Sequence, residues 1–177
     1  MACGVLSQSD WGDCQRVNVK GDFNAGLYLG KWYDIAHMPF YEEENSACIV
    51  AQYEIKDDGH VKVNNSERVG GISGTYEEAI GDAYAPDPTQ PAKLAVSFGG
   101  VGDLYRAPYW VVDTDYKTYS IVFSCTSLAG VYHLEYAWIL SRTPTLPNST
   151  ITNLNAVWTS YGVNVQDFVY TQQVGCW

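Results

Sequence analysis

The sequence predicts an all-β fold, an eight-stranded up-and-down antiparallel β-barrel with one C-terminal α-helix packed outside. Three observations carry that expectation. Eight strand-sized runs follow one another between turn-forming clusters, aromatic residues recur on one alternation phase of several runs, and a helical pattern appears only after the last run. Seven prolines, 16 glycines and 14 tyrosines, with β-branched residues throughout, argue against an all-helical chain. A length of 177 residues with 46% hydrophobic and 17% charged residues suits one packed core, so 1–177 reads as a single domain.

In order, a polar, cysteine-bearing leader covers 1–20 and the barrel 30–142. Strands are expected at 32–38, 49–55, 60–68, 74–83, 92–98, 109–114, 118–124 and 133–141. Their connections alternate in character. Segments 39–47, 69–73, 99–108 and 126–132 are long, whereas Lys56-Asp57-Asp58-Gly59 and Asp115-Tyr116-Lys117 are tight turns and 86–91 is a proline-rich corner. One end of an up-and-down barrel is therefore open and loop-rich, the other closed. Pro144 and Pro147 end the strand pattern, and Asn148 or Ser149 is placed to cap a helix from about Thr150 to Tyr161, within a helical segment 148–162. Ile151, Leu154, Val157, Trp158 and Tyr161 give it an apolar face, and Gly162 stops it. The tail, 163–177, holds an extended piece at 167–171 that suits an edge strand.

Composition leaves a filled two-sheet sandwich open. The aromatic phase favours a barrel: Tyr53, Trp110, Tyr136 and Trp138 can point inward together, and their polar tips suit a pocket better than a dry core.

A formal charge of −10 and the lack of a basic run exclude nucleic acid and an anionic membrane surface as partners. No apolar stretch reaches the roughly 20 residues of a transmembrane segment. The first residues carry neither a charged region nor an apolar core, so any secretion signal has already been removed. The five cysteines, Cys3, Cys14, Cys48, Cys125 and Cys176, are widely spaced without a C-x-x-C pair, which reads as long-range disulfides and not as a metal site. Sequons at Asn64 and Asn148 agree with a secreted, glycosylated protein.

Gly30-Lys31-Trp32-Tyr33 before the first strand, Thr114-Asp115-Tyr116 after the sixth and Arg142 at the end of the eighth stand in the order and spacing of the three lipocalin signatures. The chain resembles that family, and within it the branch of apolipoprotein D, the insect bilin-binding proteins and the crustacyanins. The similarity runs from Cys14 to Cys176, densest at Ala107-Pro108-Tyr109-Trp110, 114–125 and 136–142. The resemblance implies that Trp32 plugs the closed end with Arg142 stacked on it, that Cys14 pairs with Cys125 and Cys48 with Cys176, and that Trp110 and Trp138 line the pocket with Tyr53 and Tyr136 near. Cys3 is left over, open to a free thiol or a link to another chain in a homo- or hetero-oligomer.

A pocket of Trp and Tyr with few charges suits one small hydrophobic molecule. The expected ligand is a pigment, either a biliverdin-like bilin or a carotenoid, or a lipid, with colourless steroid or fatty-acid transport as the alternative. His37, Arg68 and Arg106 are candidate cations for an acidic ligand, and the loops around Phe40, Arg106 and His133 form the expected mouth. His37, His60 and His133 lie on different elements without metal-ligand spacing. No catalytic motif and no spare pocket thiol is present, so catalysis, including the isomerase chemistry of some lipocalin-like proteins, is the weaker expectation.

Overall fold

The computed structural model describes residues 9–39, 45–99 and 106–176. Among them the chain forms β1 (Ser9–Trp11), α1 (Ala25–Tyr28), β2 (Gly30–His37), β3 (Ser46–Ile55), β4 (Val61–Val69), β5 (Thr75–Tyr84), β6 (Lys93–Ser97), β7 (Ala107–Thr114), β8 (Tyr119–Leu128), β9 (Tyr132–Ser141), α2 (Asn148–Ser160) and β10 (Val169–Tyr170). Strands β2 to β9 pair antiparallel in chain order, and β9 returns to β2 with Tyr33 opposite Ser141 and His37 opposite Trp138. The β9–β2 pairing closes these eight strands into a barrel. Each expected strand coincides with one of these eight, its ends moved by a few residues. Two elements were not expected: β1 in the leader, paired with β9, and the short helix α1 between the leader and β2.

The strands bury both faces, and this decides which residues reach the interior. Inside, Trp32, Tyr53, Val63, Leu94, Val111, Val122 and Leu140 form one cluster. Outside, Ile35, Ile121, Phe123, Ala137 and Ile139 form another beneath Leu154 and Trp158 of α2. The two clusters meet in β8, where Ile121, Val122 and Phe123 are all fully buried although their side chains alternate between faces. Helix α2 begins at Asn148, the first residue of the expected helical segment, and neither Asn148 nor Ser149 caps it; Pro147 precedes the first turn without a side-chain hydrogen bond.

The closed end is built around Trp32. Its indole Nε1 donates to the Tyr28 carbonyl at 2.8 Å, and the Arg142 guanidinium lies 3.8 Å from its ring centroid. The same guanidinium donates to the carbonyls of Lys31, Leu27, Tyr28 and Tyr116. The Asp115 carboxylate accepts from the N–H groups of Lys117, Thr118 and Tyr119, which winds the β7–β8 turn so that Tyr116, at φ 65°, offers its carbonyl to Arg142. Thr114 Oγ1 accepts from the Tyr116 N–H and donates to the Tyr119 carbonyl. Gly30 stands at φ +95°, and a Cβ there would sit 3.4 Å from Arg142 Nη1. The three signature segments thus meet as one stopper.

Two disulfides fasten the ends of the chain. Cys14–Cys125 ties the leader to β8 and Cys48–Cys176 ties the tail to β3, the pairing the resemblance implied. The tail also fills a slit. The β2–β3 ladder ends at Tyr33 opposite Val50, and β3 then bulges at Cys48, φ 59°. Into this gap runs the tail: the Thr171 N–H donates to the Ile35 carbonyl, the Cys48 N–H to the Gln172 carbonyl, and the Gln173 amide to the carbonyls of Asp34 and Ile49 at 2.8 and 2.7 Å. Buried backbone polar groups need partners, and the tail supplies them where two neighbouring strands do not. No helix among the described residues is long and apolar enough to cross a membrane.

Candidate ligand pocket

Above the stopper the barrel encloses a cavity of about 380 Å³. Alternation along the strands lines it: Val61, Val63 and Asn65 from β4, Ala83 from β5, Leu94 and Val96 from β6, and Tyr136, Trp138 and Leu140 from β9. Small residues such as Ala51 and Ala83 leave the space that larger ones would fill. The Tyr136 and Trp138 rings lie 5.9 Å apart at 28°, giving one side of the cavity a flat aromatic wall.

Three tyrosines make the lower end polar. The Tyr28 hydroxyl is 2.9 Å from Ser120 Oγ and 3.1 Å from the Tyr109 hydroxyl, which is 2.8 Å from that of Tyr53. The Tyr28 and Tyr53 rings stack at 5.6 Å. Burial pushes the Tyr28 phenol up to about 12 and raises those of Tyr53 and Tyr109 as well, so all three stay neutral in ordinary buffers. Asp34 is the one charged side chain on the cavity among the described residues. Its carboxylate is buried and accepts from His37 Nδ1 at 3.1 Å and from Thr171 Oγ1 at 2.9 Å.

The fold brings together Tyr53, Tyr136 and Trp138 on the cavity and sets other expected residues elsewhere. Trp110 is a correction. It pairs with Phe123 on the outer face, with the Lys93 ammonium 4.8 Å from its ring centroid, and its neighbour Tyr109 takes the inward phase. In Tyr109-Trp110 both residues are aromatic and both barrel faces are covered, so hydrophobicity does not reveal the phase. His37 sits in the wall behind Asp34 and does not line the cavity. His133 is buried under β1, its Nδ1 3.1 Å from the Gly12 carbonyl, so it is not at the mouth. Arg68 donates to the Gly74 carbonyl. Phe40, Cys3 and the loop at 100–105 lie outside the described residues. Of the sequon residues, Asn148 is exposed at the start of α2, whereas Asn64 is partly buried on β4 and faces Glu78. Tyr28, Tyr109 and Asp34, absent from the sequence-based site, have one signal in common: each lies within two residues of a signature or aromatic motif.

The fold also gathers Cys125, His133 and Glu135, with ligand atoms within 4.8 Å of one another, which their sequence spacing did not show. Cys125 is bonded to Cys14, so the group offers no thiolate.

Arg106 is likewise outside the cavity. With Lys56 and His60 it surrounds Asp82, at 2.9, 2.7 and 3.0 Å, and it lies over the Tyr84 ring. Partial burial would raise the Asp82 carboxyl, but hydrogen bonds from Lys56, His60 and Arg106 outweigh it and hold the group at about 2. A carboxyl depressed in the folded state stabilises the fold above its unfolded value and loses that contribution as pH falls. Asp82→Asn is expected to cost about 1 kcal/mol at neutral pH after allowance for solvent screening. The gap from the parent should shrink between about pH 4 and about pH 2 in urea titrations, and a gap that holds constant there would refute the assignment.

Residues 23–173 match the family described as "Lipocalin-like domain". The chain belongs to the lipocalin family. This lipocalin is 41% identical to apolipoprotein D of Bos taurus over 165 residues, covering 93% of the chain and 85% of the relative. Among solved structures, it is similar to insecticyanin from the tobacco hornworm Manduca sexta, with a TM-score of 0.78, 27% identity and coverage of 93% and 88% of the two chains. Apocrustacyanin C2 shares the fold, with a TM-score of 0.81 at 21% identity and coverage of 97% and 94%.

Proposed function

We propose that this lipocalin is a secreted, non-enzymatic carrier that holds one small hydrophobic molecule in its barrel, with Tyr53, Tyr136 and Trp138 in the binding wall. The observation that carries the reading is the cavity of about 380 Å³, stoppered at one end and walled mainly by apolar side chains. Burying roughly 300 Å² of ligand at about 25 cal/mol per Å² gives about 7.5 kcal/mol before association costs, so burial alone supports binding no tighter than the micromolar range. A bilin or carotenoid pigment and a colourless steroid or lipid all suit such a wall. Secretion is supported by the two disulfides, and Asn148 is the more accessible of the two glycosylation candidates. Catalysis lacks support: both disulfides tie up their thiols, and the pocket phenols are held in the neutral form.

The neutral fluorophore N-phenyl-1-naphthylamine tests the site. It should bind the parent protein at micromolar concentration and quench Trp138. Ala83→Trp, which puts an indole where Ala83 lines the cavity, should weaken that binding at least tenfold with the β-sheet circular dichroism retained. Equal binding by the folded variant would place the ligand elsewhere. Mass spectrometry of an organic extract and the visible spectrum of protein from its native source separate pigment from colourless cargo.

A further inference from the structure

The lower end of the cavity has a polarity that the carrier reading does not use. The hydroxyls of Ser120, Tyr28, Tyr109 and Tyr53 form a chain of four joined by three hydrogen bonds. Each hydroxyl brings one proton, so three bonds use three protons and one remains. If every hydroxyl donates toward β3, the remaining proton is on Tyr53, which lines the cavity; if all donate the other way, Tyr53 keeps an acceptor lone pair. The end of the chain offers one donor or one acceptor, on a side chain that is 7% exposed.

No lysine, arginine or histidine among the described residues lines the cavity, and its one carboxylate, Asp34, is already engaged by His37 and Thr171. Arg142, within the stopper, donates to four carbonyls and does not line the cavity. An anionic head placed here would be desolvated with no cationic side chain in contact, whereas an uncharged oxygen would meet a partner able to serve either role.

We propose that this lipocalin selects neutral ligands that carry a hydroxyl or carbonyl oxygen at their leading end, inserted oxygen-first onto the Tyr53–Tyr109–Tyr28–Ser120 hydroxyl chain, and discriminates against carboxylates. The proposal rests on the carrier reading and names its ligand class. It favours alcohols, sterols and keto- or hydroxy-polyenes over fatty acids and bilin acids.

Competition of decan-1-ol, decanoate and decane against N-phenyl-1-naphthylamine at pH 8 tests it. Decan-1-ol should bind the parent at least tenfold more tightly than decanoate. In Tyr53→Phe, and again with Tyr109→Phe added, the decanol-to-decane affinity ratio should fall about tenfold, a change that general loosening of the barrel would not produce because both ligands would weaken together. The double variant also removes the Tyr109 hydroxyl that Tyr53→Phe leaves without its partner, while Tyr28 keeps Ser120, so it stays readable where the single change fails to fold. Decanoate binding as tightly as decanol, or a ratio that moves less than threefold in the folded variants, overturns this proposal and leaves the carrier standing. If none of the three competes, both readings fall.

Discussion

Replacing Arg142 by alanine is expected to lower the unfolding free energy by about 3 kcal/mol, measured by urea denaturation. One guanidinium lies on the Trp32 ring and donates to four carbonyls from the α1–β2 segment and the β7–β8 turn. Removing it leaves the underside of Trp32 open and those carbonyls without their donor, a loss that combines a desolvated cation–π contact with hydrogen bonds to a charged group. Arg142→Lys keeps a cation but not the planar fork, and should recover no more than about half of the loss. A cost under about 1 kcal/mol for the alanine variant would show that the stopper is held by apolar packing alone.

A larger loss is expected from Cys48→Ser with Cys176→Ser. The bridge spans a sequence separation of 128 residues, and a loop of that size is worth about 4–5 kcal/mol in the chain-entropy model. The tail it fastens also covers the slit between β2 and β3, so its release exposes the carbonyls of Asp34 and Ile49 and frees Thr171 from Asp34. The double variant should therefore melt far earlier and exchange the amide protons of residues 169–173 faster while still folded. Gln173→Ala isolates the second effect: with the bridge intact it should cost about 2 kcal/mol, because two buried acceptors lose one donor. Unchanged protection of the tail in the double variant would mean that packing on β2 suffices to hold it.

The strand layout was legible because period-two alternation and turn chemistry act locally. The β3–β4 turn at Lys56-Asp57-Asp58-Gly59 and the Asp115-capped turn stand where the residue types put them. The stopper was legible for a different reason: Gly30, Trp32 and Arg142 are distinctive types at positions that match a family. The aromatic wall was half legible. Tyr136 and Trp138 are two residues apart on one strand, so if one points inward both do, but Tyr109-Trp110 offers two aromatics on opposite phases. Helix α2 covers the outer face, so Trp110 is partly buried there just as Tyr109 is inside. His133 and Arg106 were expected at the mouth because their segments adjoin it, yet β1 covers one and Asp82 holds the other.

By itself, then, the amino-acid order determined a barrel of eight strands with a helix after them, a base sealed by an indole stacked on a guanidinium, and an interior suited to an apolar molecule. These follow from neighbours along the chain and from residue types with few substitutes. Only the closed sheet decided which of two adjacent aromatics faces the cavity, that three tyrosines separated by dozens of residues share one line of hydroxyls, and that the tail completes the wall between β2 and β3. Each of these depends on register across strands, and register is set by the packing of the whole barrel.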